Sequence, residues 1–424
     1  MLGPGKRCET GRAAGSRALR TALAAVMLAG VSGCGADAEP SRDSRERASA
    51  QRLLDRQADA VRDGSESRYL AAVDPRAEGF RTEQRQVFGN LRRLPLTQWS
   101  YHVGNVRPAG KDGGGGSPSR FQADVRLRYQ LRGDDQAPVS VTEKLAFTKR
   151  GGKWYVSDEL PGSDRQLWEQ GEVGVVRGKR SLVLGADRSR EDLDELARKA
   201  DTAVSQVDRE WPRSWPHRVV IEAPPSLRDM ARLLDAPATS YEGIAAVTTG
   251  EAGEQTKAAA DRIVVNPEAY GDLSGDGQQV VLTHETVHVA SRTHTSGATP
   301  LWLSEGIADW IGYQATDRTP EDAAAELVRA AEAGKLPREL PSDRDFRFGS
   351  DPEELGRAYE SGWLACRLIA DEWGKDKLFG LYLRLGSTQK SQGAAVEEVM
   401  RSELGIGLEE FTERWRAYVR KEVS

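Results

Sequence analysis

The chain has 424 residues, 29% of them charged and 38% hydrophobic, with a formal net charge of −5. That length allows two or three domains with cores of their own, and the acidic balance excludes a nucleic-acid binder that works through a basic surface. Beyond residue 31 no stretch is long and apolar enough to cross a membrane as a helix.

The first 34 residues read as an address. Lys6, Arg7, Arg12, Arg17 and Arg20 make a basic start, and Thr21 to Val31 form an uncharged apolar core. Such a core is too short to span a bilayer and fits a signal peptide, residues 1–34. Val31-Ser32-Gly33-Cys34 resembles a bacterial lipobox, which implies that Cys34 carries lipid and anchors an exported protein to the outer face of the cell membrane. An ordinary signal peptide with an incidental cysteine is the alternative. Of the three cysteines, Cys8 lies in the removed segment, so only Cys366 remains beside Cys34 and no internal disulfide is expected. Residues 35–47 are polar and charged, and read as a disordered tether.

Residues 48–160 read as a first domain. Leu53, Leu54, Ala58 and Val61 have helical spacing, and further helices are expected near Tyr69 and from Gln84 to Leu94. Strands follow. Phe121, Ala123, Val125, Leu127, Tyr129 and Leu131 alternate with polar residues, as in an antiparallel sheet with one wet face. Helices followed by a meander resemble the NTF2-like cone fold, which implies an accessory, docking or small-ligand-binding role. His102, within a strand pattern, is taken as structural.

Residues 176–424 change pattern. Short strands are expected at Ser181–Gly185, His217–Glu222, Gly243–Thr249 and Arg262–Asn266, with a helix from Glu191 to Trp211. Gly243–Thr249 and Arg262–Asn266 are both candidates for an exposed edge that pairs with an extended peptide. After Asp309 the chain is mainly helical. The expected fold class is therefore α+β.

The chemistry concentrates in His284-Glu285-Thr286-Val287-His288. The chain has five histidines, and three of them lie between positions 284 and 294. On a helix, residues four apart share a face, so His284 and His288 grip one ion together. Glu285 is turned by about 100° and reaches a water on that ion as a general base. Zinc suits imidazole and carboxylate donors, and a catalytic zinc takes three protein ligands. Two residues compete for the third place. Glu305 lies on the next expected helix, after Pro300, and Asp309 one turn on accepts from the far nitrogen of a ligating histidine. His294 stands six residues after His288, as in the metzincin pattern. That pattern needs a glycine where this chain has Ser291, and its methionine turn has no counterpart before Met400. Glu305 is the preferred ligand.

His284-Glu285-x-x-His288 with Glu305-x-x-x-Asp309 resembles the gluzincin metallopeptidases, most of all their peptidase-MA-like branch. The resemblance implies a small mixed sheet before the metal helix, one zinc ion, and hydrolysis of a peptide or protein substrate. It also implies that a tyrosine on a later helix donates to the tetrahedral oxyanion, and Tyr359 is placed for that. The chain departs from the aminopeptidase type in its gap of 16 residues between His288 and Glu305, and in lacking a glycine-x-methionine-x-asparagine strand. Two other readings stay open: an inactive lipoprotein scaffold that binds a partner or ligand, and an amidase acting on cell-wall peptides.

The address makes one prediction. Cells expressing the chain and fed labelled palmitate should incorporate label, and Cys34→Ala should abolish it. Equal labelling of both would refute a lipid on Cys34.

Overall fold

The computed structural model describes residues 41–109, 119–249, 260–349 and 351–423. The expected signal peptide, Cys34 and the expected tether up to residue 40 lie outside them.

Three helices come first: α1 (Arg42–Arg62), α2 (Glu66–Leu70) and α3 (Glu78–Leu91). The start of α1 corrects the sequence reading, which extends the disordered tether to residue 47. Charge density alone suggests an unfolded segment, but charges four apart pair on a helix. Arg42 Nε donates to Glu46 Oε1 at 2.9 Å, and Glu46 is buried. Ala50, Leu53, Leu54 and Ala58 make the apolar stripe of α1.

A four-stranded antiparallel meander follows: β1 (Leu96–Pro108), β2 (Arg120–Leu131), β3 (Val139–Arg150) and β4 (Lys153–Glu159), in that spatial order. Every second residue of β2 from Phe121 to Leu131 is buried. Helix α1 lies along β1. The Gln51 amide donates to the Tyr101 carbonyl and accepts from the Val103 N–H, both at 2.8 Å.

The second sheet contains β5 (Val173–Arg177), β6 (Ser181–Ala186), β7 (Val219–Ala223), β8 (Ala246–Thr248) and β9 (Ile263–Val265). Its spatial order is β5-β6-β7-β9-β8. Strands β6, β7 and β9 are parallel, and β5 and β8 are antiparallel edges. Of the two candidate edges, β8 is therefore the one at the rim and β9 is interior. Strands β6 and β7 are buried along their whole length, as a sheet covered on both faces requires. Leu182, Leu184, Ala186 and Val220 join the core of the first sheet. Val183, Val219 and Ile221 face the helical core. Both sheets belong to one compact unit, Arg42–Ser424.

The helical part comprises α4 (Arg190–Glu210), α5 (Leu227–Leu233), α6 (Pro267–Gly271), α7 (Gly275–Ser291), α8 (Leu301–Tyr313), α9 (Pro320–Ala323), α10 (Ala325–Glu332), α11 (Pro352–Trp373), α12 (Lys375–Ser387), α13 (Gln392–Leu404) and α14 (Leu408–Glu422). Helix α7 starts at Ser274, whose hydroxyl caps the Gly277 N–H. Trp302 and Trp310 on α8 are both buried core residues. Gln206 of α4 bridges its neighbours: its amide donates to the Ile311 carbonyl of α8 at 2.6 Å and accepts from Thr283 of α7. No helix among the described residues is long and apolar enough to cross a membrane.

Helices α8 and α11 meet through glycines. A Cβ on Gly306 would stand 2.3 Å from the Gly362 carbonyl oxygen and 2.7 Å from Cys366 Sγ. Backbone cannot move aside as a side-chain tip can, so Gly306→Ala should destabilise the fold by about 1–3 kcal/mol. Urea unfolding at fixed zinc measures this, and an unchanged midpoint would contradict so close a crossing.

Candidate metal centre

Helices α7 and α8 bring the sequence candidates together. His284 Nε2 and His288 Nε2 are 3.0 Å apart, and each is 3.2 Å from Glu305 Oε2. Among the described residues these three form the one group of histidine, cysteine and carboxylate side chains able to hold an ion. His284 and Glu305 are buried, 8% and 9% exposed, and His288 is half-buried.

Asp309 completes the arrangement from behind. One turn after Glu305 on α8, it accepts a 2.7 Å hydrogen bond from His284 Nδ1. That bond places the His284 proton on Nδ1 and leaves the Nε2 lone pair facing inward. A cation at the point where these three inward atoms converge would be held by all of them. Bonds of about 2.0–2.1 Å to a tetrahedral zinc set donor atoms roughly 3.3 Å apart. The observed spacings are close to that, and the donors are the imidazole and carboxylate types zinc takes. The residues fit the ion.

The electrostatics point the same way. Burial disfavours a charged His284, but the charge and hydrogen bond of Asp309, with Glu305 and Glu285, outweigh it and raise its pKa well above the ordinary value. Burial would raise the Glu305 pKa, yet the two histidines overcome it and hold the carboxyl far below the usual range. In both cases the pocket favours opposite charges side by side.

Glu285 is buried beside the group and does not join it. Its Oε2 accepts a 2.6 Å hydrogen bond from the Thr248 hydroxyl at the end of β8. Tyr359 of α11 lies with its ring centroid 6.1 Å from that of His284 and packs edge-on against Phe346 at 5.3 Å. Burial, then the charges of Glu305, Glu285 and Asp309, push the Tyr359 phenol up and keep its proton in place.

The His294 alternative is not realised. Helix α7 runs on to Ser291 instead of breaking after His288, and a short 3-10 turn, Arg292–His294, follows. That turn carries the His294 ring away, to 6.2 Å from the Trp211 ring and into a surface cavity with Arg213 and Glu403. Without a glycine at position 291 the chain has no tight exit by which a third histidine returns.

Sequence reasoning missed Thr248. It names the segment as a possible edge but assigns nothing to the threonine. A single hydroxyl has no periodic or spacing signal, and only the register of β8 beside α7 brings it to Glu285.

No protein-family model and no curated protein matches the chain. Among solved structures it is similar to an M1 zinc metallopeptidase from Deinococcus radiodurans, with 13% identity and a TM-score of 0.35 over 77% of this chain and 94% of that one. A mutant of the Deinococcus radiodurans enzyme bound to a Tyr-Ser-Ala substrate is similar at 13% identity and a TM-score of 0.34, over 78% and 95% of the two chains. Likeness at this level assigns no activity.

The pocket makes the metal-free protein sensitive to pH. A raised His284 pKa adds stability that is complete below about pH 6.5 and is lost as pH rises through the folded-state value. The lowered Glu305 pKa works in the other direction, adding stability above about pH 4.3 that is lost on acidification. The thermal midpoint of chelator-treated protein should therefore fall as pH rises above about 6.5, and Asp309→Asn should flatten that slope. A midpoint independent of pH in that range would contradict the His284–Asp309 coupling.

Proposed function

We propose that the chain is a zinc-dependent peptide hydrolase of the gluzincin kind, exported and held outside the cell membrane by lipid on Cys34. The observation that carries this is the convergence of His284, His288 and Glu305, with Asp309 behind one ligand and Glu285 beside the group. His284, His288 and Glu305 would hold one zinc ion, which when bound supplies Lewis acidity for a carbonyl and lowers the pKa of water.

The chain's own residues do the rest. Asp309 keeps His284 in the tautomer that presents Nε2 inward. Glu285 takes a proton from the attacking water at its carboxylate and returns it to the leaving amine nitrogen. Thr248 donates to one Glu285 oxygen and leaves the other for that proton. The protonated Tyr359 hydroxyl is the donor assigned to the developing oxyanion. Among the described residues strand β8 is hydrogen-bonded to β9 on one side only, so its outer edge suits an extended peptide. The helices and meander of the first sheet form the NTF2-like accessory part.

Purified chain from residue 35 onward, prepared without chelators, should contain about one zinc per molecule by elemental mass spectrometry. Glu285→Gln should keep that zinc and lose about 10²–10⁴-fold in cleavage of a peptide library. A chain that takes up no zinc even when it is supplied would support the scaffold reading. A fully active Glu285→Gln would remove Glu285 from its role.

A further inference from the structure

Between β2 and β3 the chain turns through Asp134 and Asp135, and both carboxylates are buried. Asp134 accepts from Arg177 Nη2 at 2.9 Å and from Arg218 Nε at 3.0 Å. Asp135 is bidentate on Arg262, with Nη1 at 2.7 Å and Nη2 at 3.1 Å. Arg177 ends β5, Arg218 directly precedes β7, and Arg262 directly precedes β9. Strand β5 is antiparallel to its neighbour β6, whereas β6, β7 and β9 are parallel. All three arginines therefore sit at one end of the second sheet. A single turn of the first sheet grips that end.

The same end carries Thr248, which pairs with Ile263. Arg262 forms the next rung. Its N–H donates to Thr249 Oγ1 at 2.9 Å, and its carbonyl accepts from the Thr249 N–H at 2.8 Å. From the other side Arg292, at the end of α7, donates to the Thr249 carbonyl at 2.6 Å and to Asp261 at 3.1 Å. Asp135 thus connects to the Glu285 carboxylate through Arg262, Thr249 and Thr248. Arg262 is 5% and Asp135 6% exposed, so little water is at hand to replace a lost partner. Glu222 Oε1 stands 3.6 Å from Arg262 Nε, too far to hydrogen-bond. Among the described residues, Asp135 is the one carboxylate hydrogen-bonded to this guanidinium.

We propose that Asp135 is a positioning residue for Glu285: by fixing Arg262 it sets where the end of β8 lies, and with it the Thr248 hydroxyl. The first sheet is then part of the working site and not a spacer. This rests on the role of Glu285 proposed above.

Asp135→Asn keeps the shape and removes the charge. In the zinc-loaded protein it should lower kcat roughly tenfold or more with KM within about twofold. Bound zinc should be unchanged, and hydrogen exchange at the Thr249 amide should be faster. The double variant Asp135→Asn/Arg262→Met separates positioning from plain stability, because it removes both buried charges and keeps an acceptor for the Leu131 N–H that Asp135 Oδ2 holds at 2.7 Å. It should recover the melting temperature and leave kcat low. Recovery of kcat together with melting temperature would overturn the proposal, as would Thr249 exchange in Asp135→Asn equal to wild type. The exchange measurement needs no turnover. A wild-type chain that cleaves no peptide would refute the hydrolase reading, while the Thr249 amide would still decide whether Asp135 controls the edge strand.

Discussion

Two imidazole nitrogens and a carboxylate oxygen stand within 3.0–3.2 Å of one another, a crowding that a cation or a shared proton must relieve. The rest of the helical part is arranged to hold that crowding in place. Helix α8 is the element under most constraint. It presents Glu305 and Asp309 to α7 while being closely packed on more than one side. A Cβ on Gly312 would meet the Val280 carbonyl of α7 at 3.2 Å, and one on Gly306 would meet the Gly362 carbonyl of α11 at 2.3 Å. Glycine at both positions lets α8 come close enough for a short carboxylate to reach the imidazoles. At the start of α8, Asp343 accepts from the Leu301 N–H at 2.9 Å and so satisfies a backbone donor left over at the helix end.

Glu285 is held from another direction. Its hydrogen-bond partner comes from the second sheet and not from the helices, so metal ligands and base are positioned by separate supports. Those supports meet at Arg292, which closes α7 and ties it to the end of β8. The sheet is in turn packed against the first sheet through Leu182, Leu184 and Val220, and gripped by the Asp134–Asp135 turn. Buried charges are costly unless paired. These paired charges tie the turn after β2 to one end of the second sheet.

The sequence read well wherever signals are local. Residues four apart on a helix must share a face, so the pairing of His284 with His288 and of Glu305 with Asp309 followed from covalent geometry. The alternation in β2 announces a sheet with one wet face. Charge density alone makes the tether too long, because it ignores the Arg42–Glu46 pairing that a helix permits. His294 stayed a candidate because spacing alone does not say whether a helix ends at His288 or three residues later.

The donor set is legible along the chain: which side chains carry the lone pairs, which carboxylate stands next to them, and on which helices. Those are properties of neighbours along the chain. Long-range packing settles that β8 and not β9 is the edge, that Thr248 reaches Glu285, and that Asp135 meets Arg262 across 127 positions. Each depends on strand order and register between segments far apart in sequence, and no periodicity within one segment encodes the position of another.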